Sequence, residues 1–434
     1  FHVRHYKGKI DFMQKDLHRL LRDTNLILPP VQTLISNIAS LATEMNMPCY
    51  LVGGVVRDLL LSLPTHDSDI DFVFEGDAIK FGEALVKKYG GKLTHHYKFH
   101  TAIWHLPETF NLPLETLDLI TARKESYEHP GALPTVTPSN IEDDLHRRDF
   151  PINSMAIRLD GSHFGELLDV LNGEVDLENK IIRVLHDKSF LDDPTRIFRA
   201  IRYETRYSFN LEPSTLNLIN AESLSVLSKL SGERIRNELD LILDEEKASQ
   251  IILRVANLGI LNYIHKSIPE FKEDYSDFLD MDSRLDIPAD RRTMGYMLWF
   301  MDLSEEEIFS ICNRLDFSNE LTLAVWSAAQ LKWSLQHLAE SKPSVWTYAL
   351  EKLPLLSIYA VYLISRENSL LSYISIWRHV KAQTTGDDLK SRGLQPGPRY
   401  KEILSALRTA WLDGVLTSKT EEEEMLKKLI SETQ

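Results

Sequence analysis

Between Cys49 and Phe74 the chain reads strand, paired glycine, helix, strand, and no other segment restricts the possible folds as tightly. Cys49-Tyr50-Leu51-Val52 is a short β-prone run that enters Gly53-Gly54, after which Val55 to Leu63 reads as a helix closed by Pro64. From Asp69 to Phe74 the alternation puts Asp69, Asp71 and Val73 on one face of a strand and Ile70, Phe72 and Phe74 on the other. A Gly-Gly pair alone is usually just a tight turn, and an alternating acidic strand alone fits a solvated surface. Together they fit a different chemistry. Glycines between strand and helix let backbone N–H groups approach a phosphate, with Arg57 as a forked donor, while two carboxylates on one face share hard cations such as Mg²⁺.

The surrounding pattern describes a small mixed α/β unit followed by helices. Val31, Leu34, Ile35, Ile38, Leu41 and Ala42 line one face of an amphipathic helix over 29–45. Ala78 to Tyr89 is helical and ends at Gly90-Gly91, and Thr101 to Leu106 and Leu117 to Thr121 read as further strands. After about Asp160 the character changes: Leu167 to Leu185 is short and mixed, and the remainder is almost entirely of helical period. Asp192-Asp193-Pro194 opens one helix and Ser231 caps another. The stretch Thr384 to Pro398, rich in Gly and Pro, reads as a late loop boundary before a terminal helix over 400–412.

Composition narrows the partners. No stretch approaches the roughly 18 to 20 apolar residues of a membrane span, the nearest being Leu353 to Ile364, so no membrane role is expected. Cys49 and Cys312 lie far apart without ligand spacing, which points to a reducing compartment and a cytoplasmic location. His95, His96, His100 and His105 lack the cysteine support and regular spacing of a zinc site. Phe1-His2-Val3-Arg4 has no initiator Met and reads as a trimmed or fragment start. The net charge of −15 argues against nucleic acid, but acids concentrate in surface-like runs such as Glu421 to Glu424. Arg147-Arg148, Arg196-Arg199-Arg202-Arg206, Arg234-Arg236 and Arg291-Arg292 form local basic groups, so a basic track on an acidic body is compatible with the sum.

Three further groups carry chemistry. Asp118, in Leu117-Asp118-Leu119-Ile120-Thr121, reads as a lone acid on a half-buried strand, either paired with Arg123 or serving as a third metal ligand. In His146-Arg147-Arg148-Asp149-Phe150-Pro151-Ile152-Asn153, Arg148 suits bidentate binding of a triphosphate and Asn153 a sugar hydroxyl. In Asp192 to Arg202, helical spacing places Asp193, Arg196, Arg199 and Arg202 along one side. One acid for three arginines is more cationic than an ion-pair ladder requires, and an anionic ligand accounts for the excess.

In this order, Gly-Gly-x-Val-Arg-Asp, Asp-x-Asp, Arg-Arg-Asp-Phe-x-x-Asn and Asp-Asp-Pro-x-Arg-Ile-x-Arg-Ala-x-Arg resemble the motif set of class II tRNA nucleotidyltransferases (CCA-adding enzymes) and bacterial poly(A) polymerases. Ser231-Gly232-Glu233-Arg234 with Glu238-Leu239 is similar to the family's next helix motif, and Gly386 to Pro398 to its tail. The resemblance implies an α+β chain: a polymerase-β-like head over 48–160 after a helical arm over 1–47, then a helical neck (161–250), body (251–335) and tail (336–434). It implies Asp69 and Asp71 as the Mg²⁺ ligands, with Asp118 as the third catalytic acid. Gly53, Gly54, Arg57, Arg148 and Asn153 would hold the nucleotide; Asp193 and Arg196 would read the base, with Arg199 and Arg202 as further contacts. A carboxylate accepting from an exocyclic amine beside a guanidinium donating to the ring suits C and A but not U or G. Switching between the two is expected to depend on the loop 127–140.

The implied reaction is transfer of CMP, AMP or both from CTP and ATP to the 3′ end of tRNA, with tRNA gripped by the helical domains. Poly(A) polymerase is the near alternative. A non-catalytic RNA-binding module is disfavoured by the intact carboxylates, and nucleotidylation of a small molecule or protein by the long helical half and the Asp193/Arg196 pair. Replacing both Asp69 and Asp71 by Ala should abolish label transfer from CTP and ATP while a tRNA gel-shift stays nearly unchanged; full residual transfer would remove the metal site.

Overall fold

The computed structural model describes residues 17–65, 70–110, 114–270, 287 and 290–431, and the chain divides into two compact units, residues 1–230 and 231–434. The first holds a seven-stranded mixed sheet. Its strands in chain order are β1 (Cys49–Val52), β2 (Asp71–Phe74), β3 (Lys92–His96), β4 (Thr101–His105) and β5 (Thr116–Thr121), then, after a separate hairpin of β6 (Arg123–Ser126) and β7 (Thr135–Pro138), β8 (Ala156–Arg158) and β9 (Glu166–Leu168). The order across the sheet is β3-β4-β5-β2-β1-β8-β9, in which β2 and β5 are parallel and the other neighbours antiparallel.

Both faces of the central strands are covered, and the strand pleat decides what each face carries. On one face Phe74 stacks on Phe81 of the helix Ala78–Tyr89 at 4.2 Å between ring centres. Gly82 lets that helix sit close, since a Cβ there would come within 2.7 Å of Leu93 and 3.1 Å of Leu119. On the other face Tyr50, Val52, Val73 and Ala156 pack with Ile141 and Leu145 of the short helix Ile141–His146. Asp71 and Asp118 lie on this second face, at its open end.

The expected elements are present with shifted ends. The helix after the glycines runs Gly54–Leu60 and the acidic strand begins at Asp71; Asp69 lies outside the described residues. β3 escaped the sequence reading because it is a polar edge strand, and β7 because it lies inside the stretch 127–140 that reads as a loop. Past β9 the unit is mostly helical, with one two-residue parallel pairing of Ile181–Ile182 with Asn210–Leu211.

The second unit is helical throughout its described residues, opening with Gly232–Leu243, which Ser231 caps through the Arg234 N–H. The apolar run near Leu353 forms the helix Leu355–Ser365, with Ile358, Tyr359, Val361 and Leu363 buried; no helix among the described residues is long and apolar enough to cross a membrane. Two expectations are corrected. Thr384 to Pro398 contains a helix, Gly386–Ser391, capped by Thr385 and tied into the terminal core by buried Leu389. The Glu421–Glu424 run belongs to a helix, Lys419–Ser431, and is not wholly a solvated face. Glu422 is only 2% exposed because its carboxylate accepts from the backbone N–H groups of Gln383 and Thr384, the Thr384 hydroxyl and the Trp411 indole. Replacing Glu422 by Ala strands those donors and should cost about 2 kcal/mol in thermal unfolding, whereas Glu424→Ala on the exposed side should stay within about 0.5 kcal/mol.

Candidate active site

The site begins at the turn where β1 ends. Gly53 adopts φ +75°, and its N–H donates to the Met155 carbonyl at 3.3 Å. A Cβ at this position would lie 3.0 Å from Nη1 of Arg148 and 4.0 Å from Oδ2 of Asp71. Glycine is thus required twice, by the backbone angle and by the approach of a guanidinium. Asp71 pairs in register with Asp118 across parallel strands, about 4.8 Å apart. The strand bearing Asp118 is half-buried, as expected, with Asp118 on its exposed side, so burial alone does not dictate its partner. Its alternative partner Arg123 pairs with Glu125 at 3.3 Å. Oxygen-only donors on adjacent strands, facing a turn without side chains, fit a hard divalent cation such as Mg²⁺.

Behind the turn, one carboxylate organises the adjacent arginines. Asp144, fully buried, accepts from Nε and Nη2 of Arg147 at 3.0 and 2.8 Å, and from Nη2 of Arg148 at 3.0 Å. Burial pushes the Asp144 carboxyl up, but Arg148 and Arg147 together outweigh it and hold it below the usual carboxylate range. Arg147 also reaches Glu125 at 2.9 Å, which in turn accepts from the Tyr127 hydroxyl at 3.0 Å.

A second buried network runs from the helix Gly54–Leu60 to the helix Thr195–Tyr207. Arg57, 3% exposed, gives Nε and Nη2 to Asp58 at 2.9 and 3.0 Å and Nη1 to Oδ1 of Asn153 at 2.6 Å. Its guanidinium lies over the rings of Tyr207 and Tyr203, at 4.6 and 5.2 Å. Asn153 donates to Asp149 at 3.1 Å, Asp149 accepts from Nη2 of Arg199 at 2.6 Å, and the Tyr207 hydroxyl returns to Asp58 at 3.1 Å. Burial raises the Asp149 carboxyl, yet Arg199, Asn153 and Arg196 lower it overall. Arg57 and Asn153 are therefore engaged with the protein, although the Arg57 guanidinium also lies against the second glycine, its Nη2 3.2 Å from where a Gly54 Cβ would be. Arg148, tied to Asp144 through Nε and Nη2, turns its Nη1 to Gly53. The excess of cations along the arginine row is also smaller than the sequence suggests, because Asp149, from another segment, pairs with Arg199.

Asp193 does not share a helical face with the arginines. It sits before the helix in extended conformation (φ −137°, ψ 97°) and accepts from the N–H and hydroxyl of Thr195 at 3.1 and 2.7 Å. Pro194 sets this geometry by starting the helix one residue later. Arg196 is 6% exposed, and Arg202, 5% exposed, lies over Tyr203 at 5.6 Å. Sequence reasoning gave no role to Asp58, Asp144, Asp149, Glu125 or Ser189. Asp58 and Asp149 stand inside the Gly-Gly-x-Val-Arg-Asp and Arg-Arg-Asp-Phe motifs, and Asp144 leaves a trace in its i, i+3 and i, i+4 spacing to Arg147 and Arg148.

Residues 49–183 match the family described as Poly A polymerase head domain, and residues 208–274 the one described as the probable RNA- and SrmB-binding site of polymerase A. An A-adding tRNA nucleotidyltransferase of Halalkalibacterium halodurans is 31% identical over 406 residues, which cover 89% of this chain and 90% of that protein. The chain belongs to the tRNA nucleotidyltransferase family. Another family member, an A-adding tRNA nucleotidyltransferase of Geobacter sulfurreducens, is 35% identical over 418 residues; the match takes in 91% of this chain and only 46% of that protein, so the chain spans under half of this relative's length. Among solved structures, an apo form of a CCA-adding enzyme superposes with a TM-score of 0.77 at 29% identity, covering 97% of this chain and 100% of that one. The Thermotoga maritima CCA-adding enzyme complexed with tRNA gives 0.73 at 28%, with the same coverage of 97% and 100%. The family's layout, a mixed α+β head followed by a helical region, is the one this chain has.

The depressed Asp144 carboxyl gives a signed pH dependence. Its stabilisation is complete above the unfolded value of about 3.9 and is lost as pH falls through the lower folded value. Asp144→Asn should therefore destabilise by about 3 kcal/mol near neutrality, and the gap in melting temperature from the parent should hold from about pH 6 to 8 and narrow below about pH 4.

Proposed function

We propose that this chain transfers CMP, AMP or both from CTP and ATP to the 3′ end of tRNA, releasing pyrophosphate. The observation that carries this reading is the convergence of Asp71 and Arg148 on Gly53, with Asp118 in register beside Asp71. Arg148, braced by Asp144, is the donor that meets the triphosphate at the turn, where the missing side chain leaves room for it. Asp71 and Asp118, with Asp69, would hold Mg²⁺, which supplies Lewis-acid activation of the attacking hydroxyl and neutralises triphosphate charge. The 3′ oxygen of the RNA attacks the α-phosphorus, the bond to the β-phosphate oxygen breaks, and pyrophosphate leaves in line. Catalysis of this kind is mostly positioning and charge stabilisation.

Asp193 and Arg196 read the base, the carboxylate accepting from the exocyclic amine of C or A and the guanidinium donating to the ring edge. Arg57 and Asn153 serve this reading less as direct nucleotide contacts than by tying the helix after the glycines to the segment bearing Arg148. Arg199 and Arg202 extend the same wall. The finer division into head (48–160), neck (161–250), body (251–335) and tail (336–434) follows the family layout, with the helical domains contacting tRNA. The compact boundary at Ser231 falls inside the neck. Cys49 and Cys312 are both buried free thiols, consistent with work in the reducing cytoplasm.

Poly(A) polymerase activity is the second reading, favoured by the description of the family matched over residues 49–183. One assay separates the two. tRNA transcripts lacking CCA, ending in CC, or ending in CCA are each incubated with labelled CTP, ATP or both. Addition that stops at a completed CCA end supports tRNA end synthesis, and the accepted substrates identify A, CC or CCA addition. Long ATP-only tails would replace the proposal with polyadenylation.

A further inference from the structure

The pair assigned to base reading is joined by a residue that no motif singles out. Ser189 opens the one-turn helix Ser189–Asp192 and is fully buried. Its hydroxyl accepts from Nη1 of Arg196 at 2.8 Å, and its backbone carbonyl accepts from the N–H of Asp193 at 3.1 Å. Among the described residues, the other hydrogen-bond acceptor for the guanidinium is the Arg147 carbonyl, which accepts from Nη2 at 2.9 Å. Arg196 is thus held by two neutral acceptors on its terminal nitrogens, one from a side chain and one from a main chain.

We propose that Ser189 is a positioning residue for nucleotide selection, an inference that rests on Asp193 and Arg196 reading the base. A guanidinium discriminates only when its fork is fixed to within a fraction of an ångström of the matching edge. Arg196 can pivot about its side-chain bonds unless both terminal nitrogens are tied. The Arg147 carbonyl ties one. The Ser189 hydroxyl ties the other, and it belongs to the residue whose carbonyl also fixes the start of Asp193, so a single residue sets the spacing between acceptor and donor. Neutral acceptors suit this role, because a carboxylate would compete with the base for the same N–H groups.

Ser189→Ala isolates the side-chain anchor: it removes the hydroxyl, keeps nearly the same volume, and leaves the carbonyl bond to Asp193 and the Arg147 anchor in place. Selection is read in two ways on the full chain with tRNA: as the kcat/KM ratios of ATP to GTP and CTP to UTP, and as the equilibrium binding ratios of the same pairs. Losing a buried hydrogen bond to a charged group should lower the ratio for the accepted nucleotide about tenfold or more, mostly through KM. Ser189→Thr, which retains the hydroxyl, should recover most of it. Melting temperatures of both variants identify a general loss of fold, which would weaken all four nucleotides alike. Unchanged ratios in Ser189→Ala, a uniform loss across the four, or failure of Ser189→Thr to outperform Ser189→Ala would each overturn the proposal. If the parent binds nucleotides selectively but transfers none, the proposed reaction fails while the binding ratios still decide the role of Ser189. A parent that binds none of the four overturns both.

Discussion

A single buried carboxylate, Asp144, holds the guanidiniums of Arg147 and Arg148, and much of the site's order follows from that arrangement. Isolated, a buried acid would be pushed towards its neutral form; with two arginines it stays ionised and turns the burial penalty into a geometric constraint. Arg148 is thereby aimed at the Gly53 turn, and the backbone of Arg147 is placed where its carbonyl meets Arg196. The short helix Ile141–His146 can hold this carboxylate because its apolar residues, Ile141 and Leu145, pack on the sheet and carry Asp144, three residues after Ile141, inward beside them.

The neighbouring network has the same construction with different parts. Arg57, Asp58, Asn153, Asp149 and Arg199 form a continuous chain of hydrogen bonds, flanked by the rings of Tyr203 and Tyr207. Burial and Arg57, in opposite directions, shape the Tyr207 hydroxyl, whose proton is held up to about 12. That proton stays in place at neutral pH and donates to Asp58. Buried polar chains of this kind specify one arrangement because every alternative leaves a charged group without partners. In this molecule the arrangement ties the glycine turn to the helix Thr195–Tyr207, which carries Arg196 and Arg199.

Several features of a tRNA nucleotidyltransferase were legible in residue order alone. Gly53-Gly54, Asp71 and the arginine row all stand out because their chemistry is local: a turn needs glycine, a strand alternates its faces, and a helix repeats its side chains every three to four residues. The misreadings have equally physical causes. Asp193 looked helical because spacing counts residues, whereas Pro194 delays the helix and leaves Asp193 extended. Asp118 does stand on a half-buried strand, but the cost of burying an acid does not apply to it, because Leu117 and Leu119 take the buried face and leave it on the exposed one. Glu422 looked solvated because acidic runs usually are, yet one member of the run turned inward to receive four donors.

The sequence by itself therefore determined the α+β order of elements, which follows from short-range rules about conformation, and the ordered motifs whose family resemblance implies the class of chemistry and the residues of the proposed reaction. Only the tertiary structure decided which of those residues are presented and which are enclosed. Asp149 meets Arg199 across fifty positions, Arg57 meets Asn153 across ninety-six, and Ser189 meets Arg196 through the fold of a single helical turn. Such partners carry no periodicity along the chain, because they are chosen by the distance between packed elements and by the cost of leaving a buried charge unsatisfied.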